Sequence, residues 1–307
     1  MSSPLTSSEF VRLLDMRLKE VSEAQYNDLP SMIPKLFREI DDDSAWMEFF
    51  EIGDVPDIPE FNGKLSYLSI APGFHTRIEH KEFAAGLMHE RKLIDDKKYS
   101  VMEDRSIGLM KSAKRKREKL AVKSFANAFS TAFDFMTREE GVALCSSSHI
   151  TKSGASTATG FDNAGSSALS KTSVAATRIL MRQFRNDIGE RIDMSDNFAL
   201  IVPDNLADLA MEINGTKMGY DTAAMDINTQ YQRYEVIPYL RLDDYDTDNW
   251  FMTNMDMQKK DLMFADRIKP DLNNTVDFET YALKSSVYFR CSTGFRDWRF
   301  AYGHQVS

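Results

Sequence analysis

The sequence predicts a mixed α+β protein, and three observations carry that prediction. From about Ser100 to Phe135 there is no proline and one glycine, Gly108, and the apolar residues fall largely on one helical face. FALIVP, Phe198 to Pro203, is a continuous apolar run of buried-strand type that leads directly into the helical pattern DNLADLAMEI. The closing segment YALKSSVYFRCSTGFRDWRFAYGHQVS reads as an alternating strand, a Gly-containing break and a second aromatic strand. Ending on such a strand, with no tail and no nearby catalytic cluster, points to a chain built for shape rather than chemistry.

The 307 residues suffice for one large or two modest cores, and 42% apolar with 28% charged residues is an ordinary globular balance. Apolar runs fall far short of the ~20 residues of a bilayer span, and MSSPLTSSEF lacks a basic region followed by an apolar one, so neither membrane anchoring nor secretion is expected. Cys145 and Cys291 are too far apart in sequence to suggest a metal or disulfide framework and read as buried small hydrophobes. A net charge of −9 argues against a protein that grips nucleic acid through its phosphates.

Along the chain, residues 5 to 28 place Phe10, Leu13, Leu14, Leu18 and Val21 at spacings of three and four, with Ser7 and Ser8 positioned to cap an amphipathic helix. Pro30 ends it, and Pro34 permits a short piece, IPKLFREI, before Asp41 to Asp43; this part reads as an arm. From Trp46 to about Tyr99, alternating stretches broken by Gly53, Pro56, Pro59, Gly63, Pro72 and Gly73 predict an extended hairpin excursion with too little apolar content for its own core. The helix over 100–135 would be ~50 Å long at ~1.5 Å per residue, with Leu120, Phe125, Phe129 and Phe133 among its buried residues and the basic block KSAKRKREK in its first half. The Ser-, Thr-, Ala- and Gly-rich stretch from Gly141 to Ser170 predicts a long flexible loop. A helix follows over about Ser170 to Asn186, burying Val174, Ile179, Leu180, Met181 and Phe184 and exposing Lys171, Arg178, Arg182 and Arg185. The helix after FALIVP is capped by Asp204 or Asn205, and YEVIPYLRL and NWFMTN read as further strands.

Few residues suggest chemistry. Cys145 and His149 could form a thiolate–imidazole pair, with Ser146 beside them, but nothing in the sequence orients the histidine, and a structural role is the better reading. Asp243, Asp244, Asp246 and Asp248 lack the spacing, glycine and closing glutamate of a calcium loop and read as a solvated turn. His75, His80 and His89 lack metal-ligand order, and both common nucleotide-binding glycine motifs are absent. No catalytic residue, cofactor or metal site is therefore predicted. The cations Lys111, Lys114, Arg115, Lys116, Arg117 and Lys119 read first as inter-subunit partners for acidic residues and second as phosphate contacts.

The order of these parts resembles the major capsid protein of tailed bacteriophages with the HK97-type fold. GVALCSSSHITKSG, Gly141 to Gly154, and FRDWRFAYGH, Phe295 to His304, are similar to segments of the Mu-like major head subunit group, although Cys145 stands where that group usually has an aromatic and Ile150 where proline is common. The resemblance implies an N-terminal arm over 1–45 that reaches a neighbouring subunit, an E-loop over 46–98, a peripheral domain from 99–138 and 275–307, and an axial domain over 139–274. Tyr281, Val287, Phe289, Phe295, Trp298, Phe300 and Tyr302 would then close the peripheral sheet beside the long helix. It further implies self-assembly into hexamers and pentamers of an icosahedral shell, portal and scaffold or decoration proteins as partners, loose contact with packaged double-stranded DNA, no membrane, assembly in the host cytoplasm and residence in the virion. An encapsulin-type cellular compartment shares the fold and stays open as an alternative, as does a cysteine or serine hydrolase.

Overall fold

The computed structural model describes residues 7–217, 227–277, 279 and 282–306. Helix α1, Ser7–Asp28, confirms the arm helix and buries Leu18; the side chains of Ser7, Ser8, Phe10, Leu13 and Leu14 lie outside the described residues. Pro34 sits in the single turn α2, Ile33–Leu36, where its missing N–H costs nothing, and strand β1, Arg38–Asp41, follows. This N-terminal segment is tied to the rest of the chain: α1 packs on the helix over Tyr99–Ala126, and β1 pairs in parallel with Met263–Asp266.

The excursion predicted from Trp46 divides into strands β2, Trp46–Ile52, β3, Pro72–Glu79, and β4, Lys81–His89, followed by a short helix α3, Arg91–Asp95. β2 and β3 pair as the expected hairpin, with an irregular loop between Gly53 and Ala71. Helix α4 runs Tyr99–Ala126, 28 residues, so its length is ~42 Å at ~1.5 Å per residue and its end falls nine residues before Phe135. Asn127 stops it, its N–H turning back to the carbonyls of Lys123 and Phe125. Phe129 and Phe133 keep their apolar role from irregular chain, stacking on Phe251 and edge-on to Phe295. A helical spacing there reflected two separate core contacts.

Strand β5, Met136–Arg138, joins β3 and completes a three-stranded sheet. The stretch over 141–170 is irregular as predicted, with only the two-residue strand β6, Ala164–Gly165, but it is no flexible loop: Leu144, Cys145, His149, Phe161 and Asn163 are buried in it. Helix α5, Lys171–Met181, starts on a capping box between Ser170 and Ser173 and ends five residues earlier than predicted. Val174 and Met181 are buried, whereas Ile179 and Leu180 are exposed.

Strand β7, Phe198–Val202, is buried throughout, and helix α6, Ala207–Gly215, follows a 3₁₀ turn over Asp204–Leu206. Neither Asp204 nor Asn205 caps it by side chain; the Asp243 carboxylate accepts from both of their backbone N–H groups. Strand β8, Tyr234–Pro238, is shorter than predicted because Leu240–Leu242 winds into a 3₁₀ turn, and strand β9, Trp250–Asn254, is as expected.

After helix α7, Met255–Asp261, comes a strand that the sequence reading missed, β10, Leu262–Val276, which pairs with β11, Leu283–Phe295. Pro270 hid it, and the ladder accommodates that residue between the register shifts at Ile268 and Asp271. The break before the last strand also moves. Gly294 lies inside β11, where a Cβ would sit 2.7 Å from Ile78 Cδ1, and the chain turns at Arg296 to Phe300 instead. Tyr281 lies outside the described residues.

The last strand, β12, Ala301–His304, does not return beside the long helix. Four-stranded β1-β10-β11-β4 packs on α4, whereas β12 enters five-stranded β6-β12-β9-β7-β8 between β6 and β9. Val287, Phe289 and Phe295 therefore serve the first sheet, and Tyr302 the second. One apolar core runs from α4 through both large sheets, and the chain passes between them through α7 and again through the turn at Arg296 to Phe300.

Candidate functional site

The two segments singled out in sequence meet in space. The His149 ring lies flat on Trp298, with centroids 4.0 Å apart and planes at 8°, and Phe184 meets the same indole edge-on at 5.2 Å. His149 Nδ1 lies 2.9 Å from Glu140 Oε1, and Arg138 donates to the other oxygen of that carboxylate at 2.6 Å. Burial alone would raise Glu140, but the hydrogen bond from His149 and the charge of Arg138 outweigh it and hold the group below the usual carboxylate range. His149 Nε2 lies 3.1 Å from Asn163 Oδ1.

Asn163, which sequence reading missed, organises the node. Its Nδ2 donates to the carbonyls of Leu144 and Ala301 at 2.8 and 2.9 Å, and this fixes Oδ1 as the acceptor for Ser146 N and for the imidazole. Asn163 is fully buried, and its place in GFDNAG carried no signal of that. Both ring nitrogens of His149 thus face oxygen acceptors, and neither is left to take a proton from Cys145. The thiol is itself buried, and burial pushes it far above its ordinary value. A cysteine hydrolase needs an accessible thiolate beside a free base, and this pair provides neither.

The remaining candidates are also consumed by structure. Asp243 caps the turn before α6, and Asp246 Oδ1 accepts from Asp248 N and Asn249 N, so the acidic run ties loops together. Among the described residues no cluster of His, Cys, Asp or Glu could hold a metal ion. His80 bridges Asp42 at 2.9 Å and Ser292 at 3.0 Å, His89 is buried at the end of β4, and His75 lies against Phe50. In the basic block, Lys114 donates to the carbonyls of Tyr26 and Leu29 at the end of α1, where a cation complements the helix dipole. Arg117 pairs with the buried Asp266 and donates to the Tyr26 phenol at 2.5 Å. Lys111, Arg115, Lys116 and Lys119 stay exposed.

What the chain leaves uncovered is apolar surface. In the loop between β2 and β3, Ile58 is 90% exposed, Phe61 69% and Tyr67 95%, with Val55 and Leu65 also bare. A contiguous display of this kind on a protein with a complete core marks a contact surface.

Residues 88–303 match the family model described as phage capsid protein. The chain belongs to that family. No curated protein sequence matches it. Among solved structures, this capsid protein is similar to the capsid of Myoviridae phage XM1, at 9% identity over 91% of this chain and 93% of the other, with a TM-score of 0.55. The procapsid of bacteriophage JBD30 matches at 13% identity over 98% of this chain and 76% of the other, TM-score 0.54. The capsid of a native GTA particle matches at 11% identity over 91% of each chain, TM-score 0.53. At such identities the likeness is one of fold: the capsid protein has the mixed α+β fold of HK97-type capsids over most of its length. The family is structural and not enzymatic, which agrees with the occupied His149 and the buried Cys145.

Proposed function

We propose that this protein is the major capsid subunit of a tailed-phage or GTA-like particle, assembling with copies of itself into a closed icosahedral shell that holds packaged double-stranded DNA. The observation that carries the reading is membership of the phage capsid family on a chain whose fold follows capsid proteins for 91% or more of its length. The exposed loop from Gly53 to Ala71 supports it, since that surface needs a neighbour. The mechanism is geometric: each subunit meets several others at once, and multivalency turns modest contacts into a stable lattice. The net charge of −9 suits a container that DNA must enter without being trapped.

In this reading residues 1–45 form the arm and the β2–β3 hairpin the E-loop. The peripheral part is α4 with the four-stranded sheet, which moves Lys81–His89 and Leu262–Val276 into it and places Arg38–Asp41 of the arm on its edge. The axial part is built on the five-stranded sheet, which takes in Ala301–His304. Rings of five and six subunits, a portal, scaffold or decoration proteins, and assembly in the host cytoplasm belong to the same proposal. Membership of the Mu-like group rests on Gly141 to Gly154 and Phe295 to His304, the segments that meet at the His149–Trp298 stack. Negative-stain microscopy of the purified protein tests the whole: hollow shells or capsomer rings are expected, and a product that stays monomeric or dimeric at every concentration refutes it.

A further inference from the structure

Where α1 crosses α4 and the four-stranded sheet, an apolar layer is followed by a polar one. Leu18, Met102 and Leu283 pack in one cluster from α1, α4 and β11. All three elements run the same way: Arg17 pairs with Glu103 and, further on, Lys114 reaches the Tyr26 carbonyl, while Ser124 near the end of α4 meets Thr293 at 3.1 Å. One helical turn past Leu18 and Met102 stand Ser22 and Ser106, and on the same face of β11, just past Leu283, stands Ser285. Asn274 lies opposite Ser285 in the ladder, and His89 opposite Leu283.

Each of these polar residues carries a buried atom with no hydrogen-bond partner among the described residues: the hydroxyls of Ser22, Ser106 and Ser285, Asn274 Oδ1 and both ring nitrogens of His89. His89 is 0% exposed, as are Ser106 and Ser285. Such groups oppose closure of the structure around them, and here they share one layer. The cover over that layer is light, because among the side chains described in α1 the buried ones are Leu18 and Ser22. Tyr26, by contrast, is held by Lys114 and Arg117, so lifting is confined to the turns before it.

Most charges on the elements around His89 are engaged elsewhere. Asp15 of α1 accepts from Asn274, Arg17 of α1 is paired with Glu103 of α4, Lys284 of β11 with Asp277, and Arg91 of α3 with Asp95. Arg105 of α4 is the charge that bears on the imidazole; burial first, and then this cation, hold His89 below its ordinary value. We propose that the layer is an acid-operated latch: with His89 neutral the first turns of α1 lie closed on α4 and the sheet, and when the imidazole takes a proton they lift and let water solvate it. The closed form offers the imidazolium no acceptor and sets Arg105 against it. The open form accepts the proton at the ordinary histidine value of ~6.5, so opening gains as pH falls through that value, by up to ~30-fold between pH 7.5 and pH 5. This latch is a property of the single chain; it goes beyond the shell reading and does not depend on it.

Hydrogen exchange read by mass spectrometry on the unassembled full chain tests it, with rates corrected for the intrinsic effect of pH. Amides over residues 7–22 should exchange faster than those of β7 at every pH, and should lose protection to the stated extent between pH 7.5 and pH 5. His89→Leu should hold their protection level over that range, and His89→Gln, which keeps a polar side chain without a titration, should do the same. A flat wild-type profile overturns the latch. Variant profiles as steep as wild type overturn it too, as does loss of protection by α1 and β7 at one common rate, which would make the opening global.

Discussion

Trp298→Ala tests how the two halves of the subunit are joined. The indole is 2% exposed, covered on one face by His149 at 4.0 Å, met edge-on by Phe184 at 5.2 Å and flanked by the Arg299 guanidinium at 4.9 Å. Arg299 is itself held by Asp297, Asp187 and the Arg185 carbonyl, so the walls of the vacated space cannot collapse freely. Truncating a buried aromatic in such a setting costs about 3–5 kcal/mol. The stacked pair accounts for roughly 0.5–1.5 kcal/mol beyond buried area. On unassembled subunit in urea, with a slope of about 3 kcal/mol/M, the midpoint should fall by about 1–1.7 M. Trp298→Phe should recover most of the loss, and a double-mutant cycle with His149→Ala should return a coupling of about 1 kcal/mol. An alanine variant within about 1 kcal/mol of wild type, outside the range for a buried aromatic, would refute the claim that this ring holds the segments together.

Three further outcomes follow from the same geometry. Burial pushes the His304 imidazole, stacked on Trp250, down to about 4, so between pH 6.5 and 4 the unfolded chain holds a proton that the fold refuses; stability falls over that window as pH drops, by about 3 kcal/mol, and His304→Asn should flatten the urea-midpoint profile there. Glu51 has the opposite sign: burial and then the nearby Asp297 raise it to about 7, so its contribution is present below pH 4.5 and lost as pH rises through 7. Glu51→Gln should therefore leave the midpoint unchanged at pH 4 and raise stability at pH 8 by up to about 3 kcal/mol. Asp243→Ala should cost about 1 kcal/mol by uncapping the turn before α6, and Asp204→Ala much less; equal costs in denaturant titration would return the cap to Asp204.

Local pattern determined a good deal of this protein. The α+β class, the N-terminal helix, the β2–β3 hairpin, and the buried strand Phe198–Val202 with its following helix were all legible, because periodicity, proline and capping chemistry act within a few residues. The resemblance of Gly141 to Gly154 and Phe295 to His304 to one capsid group was legible too, but not that His149 stacks on Trp298. Only the tertiary structure decided the rest. Apolar spacing cannot tell a helix from separate core contacts, so α4 was drawn through Phe129 and Phe133; a strand interrupted by Pro270 has no local signature; and Asp243 caps a turn 39 residues away. Sheet membership is set by partners distant in sequence, and for that reason Ala301–His304 could be read as a strand from its residues while the choice between the two sheets belonged to Trp250–Asn254 and Ala164–Gly165.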